Sequence, residues 1–329
     1  MEGSIQSSPW KEKTVSTSNT NLWLLNVLRG VSALLIVLYH YTVQYDKSIG
    51  HVVPYTFTVP WGCYAVYTFF MLSGFLTVYT CKENATASSF LKKRFFRLYP
   101  MFWICMVVTT LYMFVIMPER MPSLKQFLVN LTMIPSLLGI AAIDGVYWTL
   151  VKELLFYIGF AIILRLGLIK GGKTGWLWGW LGISLFGAIY TYGPISFPLR
   201  GGVSLLLMPE YIYAFLAGCS VYYFNVSKDL KNKIAWLGYM VVCIVLCFCM
   251  KSGEIAIFFT VSLGMLIVCS QKKINEQVYP AKKVFTPILF ISEISYVLYL
   301  THQFIGFGII RMLERHGLAK EMWMIVPIS

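Results

Sequence analysis

Apolar runs about as long as a bilayer is thick recur along the chain, separated by short polar gaps. Crossing a bilayer as helix takes roughly 20 mostly apolar residues. Runs of that kind predict helices over 22–43, 59–80, 98–117, 146–166, 176–190, 202–224, 234–250, 255–270 and 285–310. A tenth begins at Met322 and has too few residues before Ser329 to cross, so the last helix is expected to be incomplete in this chain. The stretch 124–138 is apolar but short and holds Pro135, which fits a partly embedded segment inside an outer loop 118–145. The expected architecture is therefore all-α, a polytopic transmembrane bundle of about 10 helices over residues 22–329. Residues 1–21 are polar and Ser/Thr-rich, without the short apolar run and cleavage site of a signal peptide, and read as a flexible cytoplasmic tail.

Composition agrees: 58% of residues are hydrophobic and 12% charged, against about a quarter charged in soluble domains. The net charge of +13 would suggest nucleic acid in a soluble protein. Here the basic residues sit in short loops, where they report orientation instead, so no nucleic-acid partner is expected. Loops holding Lys82, Lys92 and Lys93, then Lys170 and Lys173, Lys228 to Lys233, and Lys272 to Lys283 outweigh the alternate set roughly two to one. That bias puts the N-terminus in the cytoplasm and the protein in the cell membrane. The eight cysteines show no paired ligand spacing and mostly lie in apolar runs, so no metal is expected.

A charge at the centre of a spanning helix costs roughly 2.5–3.5 kcal/mol, so each one demands a partner, a cavity or a task. The candidates are Arg29, His40, Lys152, Glu153, Glu210, Glu293 and His302. Arg29 and His40 are eleven residues apart, three turns plus about 20°, and share one face at a separation of roughly 16 Å. Ser32, Ala33 and Ile36 lie between them and leave room for a groove. Glu153 is expected at a depth similar to His40, with Thr149, Phe156 and Tyr157 on its face. Ser295, Tyr299 and His302 form a hydroxyl-imidazole stripe suited either to sugar hydroxyls or to gluing helices together. Glu210 and Glu293 read as helix-pairing groups. Arg94 and Arg97, three residues apart, suit anionic lipid or a pair of phosphates.

Five segments carry a resemblance. LRGVSALLIVLYH has a basic residue, ten spacers and a histidine, Arg29 and His40; FFMLSGFL holds Ser73 and Gly74; RFFRLYP holds Arg94 and Arg97. WTLVKELLFY holds Trp148, Glu153, Phe156 and Tyr157, and ISYVLYLTHQ holds Ser295, Tyr296, Tyr299 and His302. In this order they resemble the acyltransferase 3 family of integral membrane acyltransferases, and the likeness covers most of the chain. Lys152 departs from the small or apolar residue expected beside Glu153, and the acidic-Lys-Pro ending common in the family is absent.

The resemblance implies transfer of an acyl group, acetyl by default, from cytoplasmic acyl-CoA to a hydroxyl of a carbohydrate such as a surface polysaccharide or lipid-linked sugar. Acyl-CoA would be a co-substrate, with no permanently bound cofactor. On this reading His40 and Glu153 are catalytic, His40 as general base and Glu153 as its orienting acid. Arg94, Arg97 and Arg29 would hold the CoA phosphates. Trp148, Tyr157, Ser295, Tyr299 and His302 would contact the acceptor, with Ser73 and Gly74 as a structural motif. Direct transfer and a transient acyl-histidine both remain open. The rival is a transporter or flippase using the same buried charges as a substrate path; no internal repeat supports it.

Overall fold

The computed structural model describes residues 22–52, 57–82, 84–192 and 200–318. The expected tail and the helix from Met322 lie outside them. The described residues hold no strand. Among the described residues nine long helices follow one another: α1 Trp23–Tyr39, α2 Ala65–Thr80, α3 Ala87–Ile116, α4 Trp148–Arg165, α5 Gly175–Tyr192, α6 Ile212–Val226, α7 Leu230–Met250, α8 Gly253–Cys269 and α9 Thr286–Arg315. Seven helical stretches among the described residues are long and apolar enough to cross a membrane.

Local sequence sets several of the boundaries. Asp229 accepts the Asn232 N–H at the start of α7, and Thr86 and Ser89 cap each other's backbone at the start of α3. That reciprocal cap starts α3 eleven residues before the expected 98, so RFFRLYP is helical and Pro100 lies inside the helix. The run expected over 202–224 is broken: a short helix Arg200–Leu207 stops before Pro209, and Met208 takes a left-handed φ of 48°. Proline has no N–H to continue the ladder and crowds the residue before it out of helical conformation. The stretch expected to be partly embedded forms two short pieces, Leu124–Asn130 and Pro135–Leu138, neither long enough to span.

The described chain divides into two compact units. Among the described residues, the first comprises those from 22 to 25, from 70 to 94 and from 154 to 280. Its centre is α6, buried along most of its length and packed by α5, α7 and α8. Helices α2 and α6 meet where Gly74 lies against the Phe215 carbonyl and Gly218 against the Met71 carbonyl. A side chain at either glycine would collide with backbone, which is how small residues let membrane helices approach. Glu210 pairs with Lys251 and accepts the Tyr192 hydroxyl, the helix-pairing role expected of it.

Among the described residues, the second unit comprises those from 26 to 69, from 95 to 153 and from 281 to 318. Here α1 does not simply end: His40–Gln44 continues it as a turn of π-helix, followed by a short helix Tyr45–Ser48. Helix α9 runs close beside this path, with Gly30 against the backbone of Ile288 and Gly306 against the Tyr41 ring. The small-residue face of α1 is thereby filled. Ser32, Ala33 and Ile36 are 2%, 3% and 3% exposed, so the groove expected between Arg29 and His40 is closed. The segment before α4 is pinned by Asn130, whose side chain donates to the Ala141 carbonyl and accepts the Ile143 N–H.

Candidate active site

In the second unit the π turn of α1 and the middle of α9 bring two imidazoles together. The rings of His40 and His302 lie edge to face, centroids 4.7 Å apart. His40 Nδ1 is 2.8 Å from the Ile36 carbonyl, and His302 Nδ1 is 2.9 Å from the Tyr299 carbonyl and 3.1 Å from that of Leu298. A carbonyl only accepts, so Nδ1 carries the hydrogen in both rings and Nε2 is left as a basic lone pair. His302 is 3% exposed, and its Nε2 is buried with no hydrogen-bond partner. Such an atom is costly to leave unmade and ready to accept a hydrogen.

Hydroxyls surround the pair. Tyr299 Oη lies 2.7 Å from Thr149 Oγ1 and donates to the Val146 carbonyl at 3.2 Å, where Thr149 Oγ1 also approaches at 3.0 Å. The Tyr299 ring centroid is 5.7 Å from that of His302. Glu153, half-buried, bears electrostatically on the Tyr299 hydroxyl, as does Asp144. The bond expected between Glu153 and His40 is not the one formed. His40 Nδ1 is already bound to Ile36, because the backbone carbonyl four residues back lies under the ring wherever a helical histidine folds down its own axis.

The remaining expected residues separate. In the first unit Arg94 is buried, 9% exposed, with Nη2 reaching the Thr80 and Thr77 hydroxyls at 3.4 and 3.5 Å. Its guanidinium stacks over Tyr157 and Phe90, 4.7 and 5.0 Å from the ring centroids. Tyr157 Oη in turn meets Ser73 Oγ at 3.3 Å, so Ser73, Tyr157 and Arg94 form one seat. Arg97, on the same helix, is exposed. The two guanidiniums therefore occupy different surroundings and do not form the matched clamp expected from their spacing. In the second unit Arg29 is half-buried, Trp148 is 38% exposed at the start of α4, and Ser295 is buried with its hydroxyl donated to the Ser292 carbonyl. Glu293, expected to pair helices, faces outward from α9 beside exposed Phe290 and Ile294.

Sequence reasoning passed over Asp144. It caps the turn before α4 by accepting the Val146 N–H at 3.1 Å, and its other carboxyl oxygen is buried without a partner. Burial pushes this carboxyl up to about 7, against the opposing pull of its backbone bonds. The available signal was its place in a short polar turn just ahead of an apolar run.

Helices that cross a membrane and a site of two imidazoles ringed by hydroxyls define a multi-pass membrane protein built around acid-base side chains. The chain belongs to the acyltransferase 3 family: residues 22–329 match its acyltransferase domain. It is similar to the acyltransferase MdmB of Streptomyces mycarofaciens, 25% identical over 152 residues, which make up 43% of this chain and 39% of that protein. The chain thus spans about two fifths of the length of the curated relative it matches. No solved structure matches it.

Proposed function

We propose that this chain is a membrane O-acyltransferase that moves an acetyl group from acetyl-CoA to a hydroxyl of a carbohydrate acceptor, a surface polysaccharide or lipid-linked sugar. Family membership supports acyl transfer. The single observation that carries the mechanism is the 2.8 Å contact between His40 Nδ1 and the Ile36 carbonyl of its own helix, which leaves Nε2 as the basic nitrogen. A neutral imidazole in that form takes the proton from the acceptor hydroxyl as the oxygen attacks the thioester carbonyl. The carbon-sulfur bond then breaks, and the proton passes to the departing CoA sulfur. His302 offers a second Nε2 beside it, and the hydroxyls of Tyr299 and Thr149 suit a sugar's own hydroxyls. Glu153 supports the site through Tyr299 rather than as the hydrogen-bonding partner of His40. On this reading exposed Arg97 meets a CoA phosphate, and a cytoplasmic N-terminus has the donor entering from that side. Arg94, packed between threonines and aromatic rings, organises the helix that carries Arg97.

The test is His40→Ala in purified, folded protein supplied with labelled acetyl-CoA and octyl glucoside as the probe hydroxyl. A general base contributes about 10²–10⁴ in rate, so transfer should fall by that factor while acetyl-CoA still binds. Substantial ester formation by the variant would move the base elsewhere, with His302 examined next.

A further inference from the structure

Eleven residues beyond His40, outside the span, stands a third histidine that the proposed chemistry does not use. The His51 side chain is fully buried. Its Nδ1 lies 2.9 Å from Glu314 Oε1 and its Nε2 2.8 Å from the carbonyl of Tyr41, the residue next to His40. Glu314 closes the arrangement through its other oxygen, which accepts the Tyr45 hydroxyl at 2.9 Å. Glu314 sits near the end of α9, twelve residues and roughly 18 Å of helix past His302. One side chain thus joins the π turn bearing one imidazole to the helix bearing the other.

We propose that His51 and Glu314 are positioning residues that set the π turn against α9 and thereby fix the His40–His302 geometry. This rests on the proposed role of His40. A π turn departs from the regular helical ladder at this point of the chain. His51 holds the Tyr41 carbonyl, while the Tyr41 ring seats on Gly306, with its centroid 6.4 Å from that of His302. Tyr41, Tyr45, Phe307 and Ile310 form an apolar cluster around the tie. In such surroundings the charge-assisted bonds are strong and water does not compete for them.

The tie also holds a proton. One ring nitrogen faces a carbonyl and the other a carboxylate, so both must carry hydrogen, or Glu314 must carry the proton instead. The groups facing this proton are Asp46, which accepts the His51 backbone N–H at 3.1 Å, the hydroxyl of Tyr45, and Arg311 and Arg315, whose charges reach that hydroxyl. Glutamine at 314 can donate its amide hydrogen to a neutral His51, keeping the tie without the shared proton.

With acetyl-CoA and octyl glucoside, Glu314→Ala and His51→Ala should each lower kcat by about 10- to 100-fold, the scale of a misplacement near 1 Å. The KM for acetyl-CoA should hold within about twofold, and the double variant should be no worse than the poorer single one. Glu314→Gln should keep kcat within about threefold, because the amide preserves the bond to His51. With only four histidines in the chain, ¹⁵N-histidine NMR gives a readout that needs no turnover: Glu314→Ala should displace the signals of His40 and His302. Unmoved signals, or full kcat in Glu314→Ala where His40→Ala is inactive, would overturn the tie. An active His40→Ala would instead overturn the base, while the NMR displacement could still stand.

Discussion

At the scale of single residues, the chemistry was legible where a polar group interrupts an apolar run. His40 and His302 announce themselves that way, since a titratable group inside a span is costly without a task. What the sequence could not convey is which acceptor each ring nitrogen finds, and so Glu153 was assigned a bond that the Ile36 carbonyl takes. Asp144 escaped because nothing in a loop aspartate betrays that it will be buried. Its raised carboxyl has a consequence for stability. The folded protein binds this proton more tightly than the unfolded chain, so the associated stability is present below the ordinary aspartate range and is lost as pH rises through about 7. Asp144→Asn should remove that loss, at most about 4 kcal/mol. Melting temperatures in detergent at pH 5 and pH 8 compare the two. Equal pH dependence in variant and parent would show that Asp144 does not hold the proton.

At the scale of elements, the long helices among the described residues were readable from hydrophobic length, because lipid demands that a spanning backbone satisfy itself, although seven stretches rather than nine are long and apolar enough to cross. Interruptions were harder to read. Pro209 was visible, but whether a proline kinks a helix or splits it depends on what packs around it, and the π turn at His40–Gln44 leaves no mark in an apolar pattern. Glycines follow the same logic. Gly306→Ala would drive a methyl group into the Tyr41 ring, and overpacking of that kind costs about 1–3 kcal/mol. Gly264, in the middle of α8, has open space around it, so Gly264→Ala should gain about 0.5–1 kcal/mol from restricting the unfolded chain. A thermal-shift series on both variants checks the contrast, which fails if both change stability in the same direction.

At the scale of the whole molecule, hydropathy foretold a multi-pass helical protein, whereas the division into two units was not legible, since it depends on contacts between segments far apart in the chain. The proposed orientation can be tested directly. A single reporter cysteine at Lys92, exposed near the start of α3, should resist a membrane-impermeant reagent in intact cells and react once the membrane is opened. Labelling from outside would invert the topology and put the donor on the opposite face. The π turn adds a genetic asymmetry. Its i to i+5 closure holds one residue more than an α turn, so the stretch His40–Gln44 is in effect an insertion of one codon. An in-frame deletion of Val43 would let the helix heal into regular α geometry and could leave a well-folded protein. Because the residue at i+5 of the π turn then takes the i+4 place, the chain on either side keeps its bearing and His51 stays opposite Glu314. This stretch should therefore tolerate the loss of one codon far better than a regular α-helical turn would, with the disturbance confined to the bulge that presents His40.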